Sequence, residues 1–151
     1  MPGAVRTDAP DEPPRILTFV LEMPIRWGDR DALRHVNNPA YFRYMEQTRI
    51  SWFDWIGIAP DPVGEGPVIV NAACTFLRQL EYPGTVVLHH YVGAFGRSSV
   101  ETMVDMSRGD QPGVVHARGS AKIVWVDLLR RRSAPLPDRV RELMRRPWTG
   151  G

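Results

Sequence analysis

The chain has very little cysteine, since Cys74 is the only one in 151 residues. A single thiol excludes a disulfide within the chain, and with it the small secreted scaffolds that disulfides hold together. Cys74 lies in an alternating apolar segment, which is typical of a small buried side chain rather than of a nucleophile. We therefore expect a reducing, cytoplasmic setting.

Lysine is equally scarce, because Lys122 is the only one and arginine supplies the other basic side chains. The formal net charge is +2. The sequence has no long basic tract of the kind that follows a nucleic acid backbone. We expect no nucleic acid partner.

Long apolar runs are also missing. The first apolar segment is interrupted at Glu22 and Pro24, well before the roughly 20 residues that a membrane-spanning helix requires. The N-terminus shows no basic region followed by an apolar one, so we expect neither a targeting signal nor a membrane span.

Length and composition fit one globular domain, with 43% hydrophobic and 24% charged residues. Residues 1–14 are rich in proline and acidic side chains, which predicts a disordered lead-in. Residues 15–128 are predicted to form the domain. Residues 129–151 form a basic tail, in which Pro137 opens a short helix.

Hydrophobic periodicity predicts an α+β fold. Apolar residues at alternate positions over 17–27 indicate a strand with one buried face, and Pro24 places it at a sheet edge or at a break in its hydrogen-bond ladder. A long aromatic helix follows, and then four alternating segments joined by turns, which predict a meander. We expect a five-stranded antiparallel sheet wrapped around a long central helix, the one large apolar partner for its buried face.

The helix start is indicated by two residue types. Asn38 is a favoured N-cap, and Pro39 suits the first helical position because it lacks an N–H. The amides of Asn38, Ala40 and Tyr41 then remain as donors at the positive end of the helix dipole, a plausible oxyanion site. Gly57 fits the position after the last helical turn.

Asp31 and His35 lie in the loop just before this helix. A carboxylate, an imidazole and polarising amides could therefore face one point in space. Taken one at a time, such residues in a pre-helical loop serve more often as turn and cap residues, and this alternative stays open.

The pattern W-G-D-x-D followed by H-V-N-N-P-x-Y, with its aromatic helix and strands, resembles the hot-dog fold thioesterases of the 4-hydroxybenzoyl-CoA thioesterase type. The resemblance runs from about residue 17 to about residue 126. It implies hydrolysis of an acyl-CoA or acyl-carrier-protein thioester. The family's catalytic loop aspartate matches Asp31, with Asp29 as its structural neighbour, and the amide donor at the helix start matches Asn38.

The same segment also looks like the plant acyl-acyl-carrier-protein thioesterases, whose D-x-N-x-H series supplies Asp, Asn and His. Asp31 and His35 match that series, whereas Leu33 stands in place of the asparagine. Asp31 is therefore the favoured catalytic group, as a nucleophile or as a general base on water. His35 would orient Asp31, bind the carbonyl or hold the loop.

The resemblance also implies basic residues that meet the coenzyme A phosphates at the mouth of the site, supplied partly by a neighbouring subunit. Arg97, with Ser98 beside it, is the candidate, and an exposed turn arginine is the alternative. Coenzyme A is part of the substrate, and no separate cofactor is expected. A lone protomer would leave a sheet edge open, so we expect a homodimer with continuous sheets, or a homotetramer of two such dimers.

Other functions remain open. The hot-dog fold also serves acyl-thioester dehydratases and hydratases, for which Glu46 on the helix is the candidate, although no dehydratase-like G-H-F-P stretch occurs. A non-catalytic acyl-CoA binding protein is a third alternative. We expect no metal site, because His89 and His90 point to opposite strand faces. The sequence does not specify the acyl group.

Overall fold

The computed structural model describes residues 14–59 and 61–150. The predicted lead-in lies almost entirely outside these residues. The helices and strands are β1 (Ile16–Ile25), a 3-10 turn (Trp27–Asp29), α1 (Asn38–Ile56), β2 (Glu65–Phe76), β3 (Gly84–Phe95), β4 (Ser99–Arg108), β5 (Ala117–Asp127), β6 (Arg132–Ser133) and α2 (Asp138–Met144). None of the helices in the described ranges is long and apolar enough to span a membrane.

The strands form one antiparallel sheet in the order β1-β3-β4-β5-β2, with β6 paired to β5. The α+β class is confirmed, and β1 lies at a sheet edge as Pro24 predicted. The strand number is corrected from five to six. The added strand has only two residues, which is too short for an alternating pattern to be recognised in the sequence.

The predicted four-strand meander is wrong, because β2 pairs with β5 instead of β3. Residues 96–98 join β3 to β4 and residues 109–116 join β4 to β5, and these three strands are neighbours in the sheet. Residues 77–83 connect β2 to β3 without pairing them, and this connection lets β2 occupy the far edge of the sheet.

Helix α1 begins one residue earlier than predicted. Asn37 is the N-cap, its side chain makes no capping hydrogen bond, and Pro39 occupies the second helical position. At the other end, Gly57 adopts the left-handed conformation with a φ of 84°, as its position predicted. A residue with a Cβ would be strained at this φ.

The helix is short relative to the sheet. Its 19 residues span about 28 Å, whereas each 12-residue strand spans about 40 Å. Its backbone approaches β1 and β3, at one side of the sheet, most closely. The prediction of a long central helix is therefore corrected to a shorter helix packed toward one side of the sheet. Its inner face buries Ala40, Tyr41, Tyr44, Met45, Thr48, Trp52, Phe53 and Ile56.

The C-terminal segment is packed into the core beside the last turns of α1. Val140 and Met144 of α2 are buried in the cluster that contains Trp52. Trp148 contacts Phe19 with a ring separation of 4.9 Å. The N–H of Trp148 also donates to the carbonyl of Leu17 at 2.9 Å, so this segment and β1 are fixed together.

One histidine lies entirely inside this core. The Thr18 hydroxyl donates to the His90 carbonyl and lies 2.9 Å from Nδ1 of the same residue. Nε2 of His90 has no hydrogen-bond partner among the described residues, and its ring lies 4.5 Å from that of Trp52. Burial lowers the pKa of His90 to about 3, and the charge of Arg49 acts in the same direction. The imidazole is therefore neutral at neutral pH.

Candidate active site

The connection from β1 to α1 is fixed by Asp29. Its carboxylate accepts the N–H of Arg26 at 2.9 Å and the hydroxyl of Tyr44 at 2.8 Å. Burial raises the pKa of Tyr44 above its usual value, and the adjacent Asp29 carboxylate raises it further. Tyr44 is therefore a permanent donor, and Asp29 is engaged in holding the loop against the helix.

Backbone groups of the loop between β1 and α1 hold the side chain of Asp31 in place. Its Oδ1 accepts the N–H groups of Leu33 at 2.8 Å and His35 at 3.0 Å. Its own N–H donates to the His35 carbonyl at 2.8 Å. Its second oxygen, Oδ2, accepts no hydrogen bond from the described residues. One carboxylate oxygen is thus held by the loop backbone, and the other has no donor among the described residues.

A polar cavity of about 380 Å³ opens beside this carboxylate. Its lining residues are Asp31, His35, Val36, Asn37, Asn38, Pro39 and Gln79. The structure therefore brings the three predicted catalytic residues to one cavity. The N–H of Asn38 has no acceptor in the described ranges, whereas the N–H of Ala40 donates to the Asn37 carbonyl at 2.9 Å. Ala40 was wrongly predicted as a free donor, because the N-cap carbonyl already accepts its N–H in the first turn.

The imidazole of His35 does not contact Asp31. Its Nε2 lies 3.8 Å from Oε1 of Glu81, on the segment that precedes β3. The contacts between His35 and Asp31 run through the backbone of His35 alone. His35 thus joins the catalytic loop to the connection between β2 and β3.

Two polar lining residues were missed in the sequence. Asn37 belongs to the same H-V-N-N element and is a favoured N-cap type, so the signal was present and was assigned to its neighbour. Gln79 lies on the connection between β2 and β3. Only the crossing of that connection to the helix start brings it to the cavity, and nothing in the local sequence indicates this.

Arg97 and Ser98 are not part of this cavity within one protomer. They follow the end of β3, whereas the catalytic loop lies beside its beginning, where Gly84 pairs with Ile25. The 12 residues of β3 separate the two ends by about 40 Å. Glu46 is exposed on α1 and is not among the residues that line the cavity.

A second, mainly apolar cavity of about 370 Å³ lies at the other end of α1. It is lined by Ile50, Phe53, Asp54, Ile58, Ala59, Asp61, Pro62, Gly66, Pro67 and Leu128. This cavity therefore adjoins the beginning of β2. The end of β2 lies at the start of α1, where the ring centroids of Phe76 and Tyr41 are 4.9 Å apart.

Residues 25–144, from the end of β1 to the end of α2, match a family model described as the thioesterase-like superfamily. The chain belongs to this superfamily. Its resemblance to the hot-dog thioesterases is thereby confirmed, and membership supports thioesterase activity in general.

Solved structures of this superfamily share the fold. The PA2801 protein of Pseudomonas aeruginosa, a suggested thioesterase, is 37% identical with a TM-score of 0.78, over 83% of this chain and 97% of that chain. A suggested acyl-CoA thioesterase from Xanthomonas campestris, XC229, is 25% identical with a TM-score of 0.69, over 80% of this chain and 99% of that chain.

A sequence relative has no assigned activity. It is the uncharacterized protein YsmA of Bacillus subtilis, which is 26% identical over 83 residues. The match covers 55% of this chain and 56% of YsmA, so this chain spans about half the length of the curated relative that it matches.

Proposed function

We propose that this protein hydrolyses an acyl thioester of coenzyme A or of acyl carrier protein, with Asp31 as the catalytic carboxylate. The observation that carries the proposal is the arrangement of Asp31, whose Oδ1 is held by two amides while Oδ2 is free beside the polar cavity. Superfamily membership and the similarity to XC229 support the thioester class.

Two reactions use this geometry. In the first, Oδ2 of Asp31 attacks the thioester carbonyl carbon, the C–S bond breaks and thiolate leaves, and water then hydrolyses the mixed anhydride. In the second, Oδ2 takes a proton from water while the water oxygen attacks the same carbon, and the thiolate leaves from the tetrahedral intermediate. Both yield a free acid and a thiol.

The negative charge that develops on the carbonyl oxygen needs a donor. The N–H of Asn38 has no acceptor in the described part of the chain and lies at the positive end of α1. In other enzymes, removal of one such donor costs about 3 to 4 kcal/mol of transition-state stabilisation. His35 acts as a positioning residue, because its backbone N–H and carbonyl fix Asp31.

The complete site is proposed to need two protomers. Strand β2 pairs only with β5 in the described sheet, so its other edge is open, and Val70 and Phe76 of this strand are exposed. Antiparallel pairing of two β2 strands about a twofold axis would bring the apolar cavity of one protomer near the helix start of the other. The apolar cavity would then accept the acyl chain, and Arg97 with Ser98 would approach the neighbouring site to meet coenzyme A phosphates.

The dehydratase alternative is less well supported. It requires Glu46 or a similar group at the acyl chain, and Glu46 lies outside the polar cavity. A binding protein without activity would need the same cavities but not the arrangement of Asp31. The product formed from an acyl thioester, or the absence of any product, would distinguish a thioesterase, a dehydratase and a binding protein.

The test is a panel of acyl-CoA esters with short, long and aromatic acyl groups, followed by thiol release. The proposed function predicts release of coenzyme A together with free acid from at least one ester. An enoyl or hydroxyacyl product with the thioester intact would favour the dehydratase. Saturable binding of an ester without any product would identify a binding protein.

A further inference from the structure

An exposed aromatic side chain lies beside the catalytic loop without a role in the chemistry above. Trp27 is 68% exposed, although it sits in a turn that two contacts of Asp29 hold rigidly to the loop and to α1. The guanidinium of Arg30 stacks on its ring at 4.4 Å. One face of the indole is therefore covered by a cation, and much of the ring remains open to solvent.

Arg30 is held by aromatic rings instead of by a carboxylate. It lies between Trp27 and Tyr82, at 4.4 and 5.6 Å, and its buried Nε has no hydrogen-bond partner among the described residues. No carboxylate in the described ranges forms an ion pair with it. Tyr82 is in turn tied to the loop, since its N–H donates to the carbonyl of Arg34 at 3.0 Å.

The charge around this stack is positive. Arg26 and Arg34 flank it with exposed side chains, and neither forms an ion pair with a described residue. The loop carboxylates Asp29 and Asp31 offset part of this charge, and three guanidinium groups against two carboxylates leave a formal charge of +1. A ligand that suits the surface combines a flat aromatic ring with negative groups.

We propose that Trp27 and Arg30 form a nucleotide subsite, in which the purine of coenzyme A stacks on the exposed face of Trp27 and the ribose 3′-phosphate meets the adjacent arginines, while the diphosphate is the group left for Arg97 of the neighbouring subunit. The subsite rests on the proposed function for its substrate class. Arg30 directly precedes Asp31 in the chain, so the nucleotide would bind within reach of the pantetheine arm whose thioester lies at Oδ2. The nucleotide contributes equally to ground-state and transition-state binding, and its loss changes KM and not kcat.

The test compares one acyl group carried by coenzyme A and by pantetheine, which lacks the nucleotide. Stacking of a base on an aromatic side chain is worth about 1–3 kcal/mol, so Trp27→Ala is expected to raise KM for the coenzyme A ester about tenfold. The KM for the pantetheine ester should stay unchanged, and Trp27→Phe, which keeps a ring, should recover part of the loss. Equal effects on both esters would overturn the proposal.

Binding of free coenzyme A, followed by titration calorimetry, tests the subsite without hydrolysis. The proposal predicts weaker binding to Trp27→Ala than to the parent, even if no thioester is turned over and the proposed function fails. Unchanged affinity would overturn it. A Trp27→Ala protein that is impaired only with an acyl carrier protein, and not with coenzyme A esters, would assign the surface to a protein partner and also overturn the nucleotide subsite.

Discussion

The hydroxyl of Tyr44 donates a 2.8 Å hydrogen bond to Oδ2 of Asp29, and this contact joins the turn after β1 to the second turn of α1. Tyr44→Phe removes the donor and leaves a partly buried carboxylate with one partner fewer. We expect a loss of about 1 to 2 kcal/mol in the free energy of unfolding, measured in urea. A double-mutant cycle with Asp29→Ala, which removes the acceptor, would show whether the two residues are coupled, and additive losses would contradict the contact.

Asp31→Asn tests the catalytic carboxylate. The amide oxygen of asparagine can still accept the N–H groups of Leu33 and His35, so the loop is retained while the charge and proton affinity are lost. We expect kcat to fall about a hundredfold or more, while acyl-CoA binding persists. Asp29→Asn is the matched control, which should lower stability more than turnover. Retention of over about a tenth of the parent rate by folded Asp31→Asn would exclude the carboxylate as the catalytic group.

Arg97→Ala tests the contribution of the neighbouring subunit. If Arg97 meets a coenzyme A phosphate, KM for acyl-CoA should rise severalfold while kcat changes little, because the contact is the same in the ground and transition states. The measurement is best made at low ionic strength, where such contacts are screened least. An unchanged KM under these conditions would show that the side chain remains in solvent.

Val70→Lys tests the dimer. Val70 is 56% exposed in the middle of β2, and a charge there would be placed near its own copy across the twofold axis. The parent should scatter light as a species of twice 17.1 kDa or more, and the variant should move toward the monomer with loss of turnover. A parent of about 17 kDa at micromolar concentration would refute the proposed assembly.

The buried His90 predicts a specific acid sensitivity. Because its pKa falls from 6.5 to about 3 on folding, only the unfolded chain binds the proton between these values. Its contribution to stability is complete above pH 6.5 and declines by about 1.4 kcal/mol per pH unit below it. The urea midpoint of His90→Gln should therefore depend less on pH between 6.5 and 4 than that of the parent. Parallel pH profiles would contradict this assignment.

Local sequence patterns predicted the positions of the first strand and of the main helix correctly. The positions of β1 and α1, and the left-handed Gly57, follow from periodicity and from the backbone freedom of glycine. The exact N-cap did not follow, because Asn37 and Asn38 are chemically equal candidates. The choice between them is made by tertiary contacts, among them the N–H of Asn37 donating to the Asp29 carbonyl at 2.8 Å.

Contacts between residues that are distant in the chain could not be predicted from local sequence. The pairing of β2 with β5 depends on the path of residues 77–83, and the same path brings Gln79 to the cavity. The order of strands in a sheet is a property of the whole chain and leaves no periodic trace. Arg97 is a similar case. Its place in a turn predicts that the side chain is exposed, but it does not predict the distance between Arg97 and Asp31.

The contact of Trp148 with β1 bears on how the chain folds during synthesis. Phe19 emerges from the ribosome early, yet its partners Trp55 and Trp148 arrive at very different times. Until Trp148 is released, one end of β1 lacks both its aromatic cover and the hydrogen bond at Leu17. We expect the domain to close only after translation has passed this residue, so apolar surface beside β1 stays exposed during elongation.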